Sequence, residues 1–80
     1  MSDLHYTTGP WVFDKDNPVR VLDNTGITIA ATYGGMVGDI EQEANTKLIA
    51  SVPNMFEYIK NRAKTGDTAA QEILNTIISE

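Results

Sequence analysis

Eighty residues and 8.8 kDa make one domain, which buries only roughly 60–65% of the surface that its unfolded chain exposes. A catalytic cleft between two domains is therefore excluded, and self-association is a natural way to bury more surface. The absence of cysteine excludes disulfides, cysteine-based zinc sites and thiol catalysis. Six Lys+Arg against eleven Asp+Glu leave a net charge of −5, which argues against non-specific nucleic-acid binding and against attraction to anionic membranes.

An apolar share of 41% with 21% charged residues is that of a folded chain rather than a disordered one. No apolar run approaches the ~20 residues needed to span a bilayer. The start, Met1-Ser2-Asp3-Leu4-His5, has no basic segment leading into an apolar one, so no signal peptide is expected. The expected location is the cytoplasm.

In chain order, the first half reads as strand. Trp11-Val12-Phe13-Asp14 is aromatic and β-branched and stops at Lys15-Asp16-Asn17-Pro18, where proline cannot donate to a ladder. Val19-Arg20-Val21-Leu22 follows, and Asp23-Asn24-Thr25-Gly26 carries the residues that tight turns need. Ile27, Ile29, Ala31 and Tyr33 then alternate with Thr28, Ala30 and Thr32, the period of a half-buried strand. Three antiparallel strands in a meander, within residues 11–33, are the simplest arrangement.

Gly34-Gly35-Met36-Val37-Gly38 breaks the pattern, and Asp39 is placed to cap a helix over about 40–51. Ile40, Ala44 and Leu48 recur at four-residue steps, with Ile49 and Val52 beside them, as one apolar stripe. Pro53 ends this helix and starts a second over about 53–64, whose stripe is Met55, Phe56, Ile59 and Ala63. Thr65-Gly66 terminates it, and Asp67 caps a third helix over about 68–79. The expected fold is thus α+β: a three-stranded antiparallel meander followed by two or three packed helices in a single domain.

Several segments invite a functional reading. The glycine loop after Tyr33 lies between strand and helix, as phosphate loops do, but lacks both standard spacings. Asp39, Glu41 and Glu43 would also meet a bound anion with like charge, so a flexible connection fits better. Asp14 and Asp16 resemble the opening of a calcium loop, but Pro18 and Thr25 break it. One histidine, His5, cannot build a histidine-rich metal site, and no nucleophile–base pairing stands out. The chain reads as a non-enzyme, with no cofactor expected. Trp11 after Gly9-Pro10 is either a core anchor or a stacking platform for a planar ligand. Asn45 borders the apolar stripe, where an amide faces water or ties down a loop. Arg20 and Lys47 are two of the six cations on which an anionic ligand would draw.

Two blocks carry a family resemblance. His5-Tyr6-Thr7-Thr8-Gly9-Pro10-Trp11 resembles the His-Thr-Pro-Gly-Pro-Trp opening of a family of small uncharacterised phage and prophage proteins. Members continue with a Val-x-Asp-x-x-Gly-x-x-Ile-Ala stretch, here Val21 to Ala30 with one additional residue before the Ile-Ala pair. Their Glu-Ala-Asn-Ala-x-Leu-Ile-Ala-Ala-Ala-Pro helix motif is matched by Glu43-Ala44-Asn45-Thr46-Lys47-Leu48-Ile49-Ala50-Ser51-Val52-Pro53. Thr8 stands where the family has proline, and Thr46, Ser51 and Val52 stand where it has alanine.

The resemblance implies a phage accessory protein acting inside an infected bacterium, of the counter-defence kind. As a sponge it would oligomerise and sequester a nucleotide immune signal, with His5, Tyr6, Thr8, Trp11, Arg20, Asn45 and Lys47 as the ligand-binding residues. Tyr6 or Trp11 would stack on a base, and Arg20 and Lys47 would hold phosphate. Alternatively its acidic surface inhibits a host or immune protein directly. A third possibility is an interaction module without a small-molecule ligand. The third helix carries the clearest apolar face, Ile73, Leu74, Ile77 and Ile78, and is the expected homo-oligomer interface.

Overall fold

A computed structural model describes residues 5–78 of the chain. Three short strands, β1 (Val12–Phe13), β2 (Arg20–Leu22) and β3 (Thr28–Ala31), form an antiparallel sheet in the order β1-β2-β3. Three helices follow: α1 (Asp39–Ala50), α2 (Val52–Lys64) and α3 (Thr68–Ile78). The fold is the expected α+β meander with helices after it. Ser79, the last residue of the expected third helix, and the Met1–Leu4 segment lie outside the described residues. By its internal contacts the chain groups into two compact units: Thr7–Pro53, and His5 and Tyr6 with the chain from Asn54 onward.

In the Thr7–Pro53 unit the turns are built by side chains that replace missing backbone partners. Asp23 Oδ1 accepts from the amides of Thr25 (2.8 Å) and Ile27 (3.0 Å) and from the Thr25 hydroxyl (2.7 Å). Gly26 there has φ of 94°, a left-handed conformation open to glycine at little cost. The sheet then departs from simple alternation. Val21 pairs with Ala30 but Leu22 pairs with Thr28, so β3 carries one additional residue opposite β2. An additional residue exchanges the two faces of a strand beyond it. Beyond it Ala30 and Thr32 are consequently half-buried and Ala31 and Tyr33 exposed, while Ile29 itself is half-buried.

Helix α1 packs on β1 and β2 with a face other than the one its apolar pattern indicates. Val21 and Thr46 are fully buried, while Ile40 is 89% and Leu48 63% exposed, and Ala44 is exposed with them. Successive helical residues are 100° apart, so Thr46 lies about 200° from Ala44, across the helix from the stripe. The inward side is tied by polar bonds. The Thr46 hydroxyl donates to the Gln42 carbonyl (2.9 Å), leaving it to accept from the Thr32 hydroxyl (2.8 Å). The Gln42 amide donates to the Thr32 carbonyl (2.9 Å). Asp39, expected as the N-cap, is instead the first helical residue; Gly38 occupies the cap and makes no side-chain bond. At that first position the Asp39 carboxylate still meets the positive end of the helix.

The break between α1 and α2 is one residue, Ser51, whose hydroxyl donates to the Lys47 carbonyl (3.0 Å). Pro53 falls in the first turn of α2, where a missing N–H costs no helical bond. The end of α2 is a double reverse bond, from the Gly66 amide to the Ala63 carbonyl (3.2 Å) and from the Asp67 amide to the Arg62 carbonyl (3.3 Å). Gly66 is left-handed, with φ of 95°. Asp67 then caps α3 by accepting from the Ala70 amide (3.1 Å), and Gln71 reaches back to the Ala63 carbonyl (3.0 Å). Phe56, Ala63 and Ala70 are buried in these two helices, as is Pro53.

The Thr46 network yields a test. Thr46→Val keeps the side-chain shape but strips the Thr32 hydroxyl of its partner, and is expected to lower unfolding free energy by about 1–3 kcal/mol in urea titrations. An unchanged midpoint would show that the hydroxyl contributes nothing.

Candidate functional site

The Gly-Pro-Trp segment is held by its own unit. Trp11 is half-buried, and its indole N–H donates to the Thr7 carbonyl at 2.9 Å. Gly9 lies so close to Pro53 that an added Cβ would stand 2.8 Å from the proline Cβ. The loop before β1 and the start of α2 thus meet at Gly9 and Pro53, and glycine is required there by close approach. Thr8 is exposed in the same loop.

Arg20, on β2, is committed to Asp14. Its Nη2 donates to Asp14 Oδ2 at 2.8 Å, and the Asp16 amide donates to Asp14 Oδ1 at 3.0 Å. Burial works against ionisation of Asp14, but the Arg20 hydrogen bond and the Asp16 and Asn17 amides outweigh it and hold the carboxyl below its ordinary range. The Asp14–Asp16 segment is therefore the anchor of the β1–β2 connection. Among the described residues, no three His, Asp or Glu side chains cluster to hold a metal ion.

Lys47, on α1, pairs with Glu43 one turn earlier (3.2 Å) and lies 5.3 Å from the centre of the Phe13 ring. Asn45 is exposed, and the tie between α1 and the sheet is made by its neighbour Thr46 together with Gln42. Neither was singled out from the sequence. The usable signal was their four-residue spacing opposite the apolar stripe.

His5 and Tyr6 belong to the other unit. His5 is exposed. The Tyr6 hydroxyl donates to Glu57 (3.2 Å), and its ring meets Phe56 edge-on at 5.4 Å. Burial first, and then the Glu57 carboxylate, raise the Tyr6 pKa. Lys60 pairs with Glu57 (3.1 Å) and lies 5.1 Å from the Phe56 ring centre, so Lys60 and then Tyr6 hold Glu57 below its ordinary range. On α3, Ile73 and Ile77 are exposed, and Leu74 and Ile78 are half-buried.

Of the seven expected ligand residues, His5 and Tyr6 fall in one unit and the other five in the Thr7–Pro53 unit. Thr8 and Trp11 share the loop before β1, Arg20 faces its carboxylate, and Asn45 and Lys47 lie on α1. What the Thr7–Pro53 unit does present is a continuous apolar strip on α1, formed by Ile40, Ala44 and Leu48. Between these side chains Ile40, Glu43, Ala44 and Lys47 line an open depression of about 260 Å³. Among the described residues no helix is long and apolar enough to cross a membrane. No protein-family model, curated protein or solved structure matches the chain.

Two measurements follow from this geometry. Gly9→Ala is expected to cost about 1–3 kcal/mol, because the rigid proline ring must move; equal stability by urea titration would contradict the close approach. Asp14, Asp23, Glu57 and Asp67 all have pKa values held below the ordinary carboxylate range. For Asp23 the first cause is the Thr25 side chain, and for Asp67 it is the Ala70 amide. At acid pH the unfolded chain then binds more protons, so this stabilisation is complete above about pH 4–5 and fades as pH falls through the lowered values. The thermal midpoint should fall on acidification, less steeply in Asp14→Asn; a midpoint that rises on acidification would contradict the assignment.

Proposed function

We propose that this chain is a non-catalytic protein-binding module whose working surface is the outer face of α1. The observation that carries the reading is an inversion of burial. The helix buries Thr46 and leaves Ile40 and Leu48 in solvent, an arrangement that favours a covering partner. The resemblance to small phage proteins supports a setting in an infected bacterium, with the chain as a counter-defence or accessory factor that engages protein. Sequestration of a nucleotide signal receives less support. Arg20 and Lys47, the cations that would hold its phosphates, are each paired with a carboxylate of the same chain.

A photo-crosslinking amino acid at position 48 should give discrete protein adducts in phage-infected cells, whereas one at position 15, in the exposed β1–β2 connection, should give none. Equal labelling from both positions, or none from position 48, would overturn this reading. Native mass spectrometry with cyclic and ADP-ribose-type nucleotides should show no uptake. Stoichiometric uptake would restore the sponge reading.

A further inference from the structure

We infer that the occupant of this face is a second copy of the same chain, its α1 lying antiparallel across the first about a two-fold axis near Ala44. The inference rests on the reading of α1 as a protein-binding surface and names the partner. Its first support is shape. Ile40, Glu43, Ala44 and Lys47 stand at positions i, i+3, i+4 and i+7, the four corners of the hole that receives a side chain from a facing helix. Ala44 makes the floor of that hole shallow in side chain, and one turn further on Leu48 protrudes from the same strip. One helix therefore carries the hole, a small residue able to enter it and a large apolar side chain one turn away. Reversing a second copy about that axis sets Ala44 of each chain over the hole of the other and Leu48 of each beside Ile40 of the other, and both contacts form at once, as an isologous interface requires.

The second support is charge. Along one flank of the strip stand Glu43 and then Lys47, already paired at 3.2 Å within the helix. A two-fold axis perpendicular to the helices brings this flank against its own copy with the order reversed, so each Lys47 faces Glu43 of the second copy. A parallel pair would instead stack the acidic ends, Asp39 and Glu41, of both helices and align their dipoles unfavourably. Antiparallel packing relieves both. A 12-residue helix is about 18 Å long, so the contact belongs to the small, weak class of interface, with a dissociation constant on the order of 10–100 μM.

Sedimentation of the purified full chain between about 10 μM and 1 mM tests this. The wild type should pass from monomer to dimer. Leu48→Glu, and independently Ala44→Glu, should weaken association at least about tenfold with circular dichroism unchanged, both side chains being exposed. Lys47→Glu should weaken it as well, and the reciprocal Glu43→Lys/Lys47→Glu chain should recover association to within about threefold of wild type. A wild type that stays monomeric throughout, folded variants at positions 44 and 48 that dimerise as tightly as wild type, or a reciprocal chain no better than Lys47→Glu would each overturn the pairing. A monomeric chain that still gives adducts with another protein from position 48 would overturn the pairing alone and leave the protein-binding reading standing.

Discussion

The burial of one threonine sets the orientation of everything around α1. Thr46 has no exposed surface, and a hydroxyl enclosed to that degree must find partners or cost free energy. It finds them in the Gln42 carbonyl and the Thr32 hydroxyl, while Gln42 reaches the carbonyl of the same Thr32. These bonds join the end of β3 to the middle of α1. They also decide which side of the helix faces water, because fixing residues 42 and 46 inward turns residues 40, 44 and 48 outward. The polar anchor and the apolar outer strip are two consequences of one rotation.

Around that anchor, much of the chain's positive charge is used internally. Arg20, Lys47, Lys60 and Arg62 each pair with a carboxylate, and Lys47 and Lys60 also lie over phenylalanine rings. Such exposed or half-exposed pairs add little stability one by one. They do leave the net charge of −5 carried by carboxylates without a cationic partner. The same economy governs the Gly-Pro-Trp loop: the indole N–H is satisfied by Thr7, and the backbone at Gly9 packs against Pro53. At this motif two separated stretches of sequence pack against each other.

Turns and helix ends were legible in the sequence because they depend on neighbours in the chain. Asp23 and Gly26, Gly66 and Asp67, and the interruption at Ser51-Val52-Pro53 all act through local hydrogen bonds and backbone conformation. The cap of α1 falls one residue before Asp39, since Gly38 can end the extended segment without a side chain. The candidate site was far less legible. Tyr6, Trp11 and Arg20 look available as a list of residue types, yet each is held by Glu57, Thr7 or Asp14 respectively. Those partners range from four to 51 residues away, and no pattern of spacing announces them.

By itself, then, the sequence determined the strand meander, the succession of three helices, the turn chemistry and the acidic charge, all properties carried by periodicity, by glycine and proline, or by simple counts. Tertiary structure decided which face of β3 and of α1 is buried, whereas α2 buries Phe56 and Ala63 of its expected stripe. One additional residue in β3 exchanges its faces, and the pull of Thr32 on Gln42 and Thr46 rotates α1 against its own apolar pattern. Hydrophobic periodicity records that a face will be covered; only packing between elements decides whether the cover comes from the same unit or from outside it.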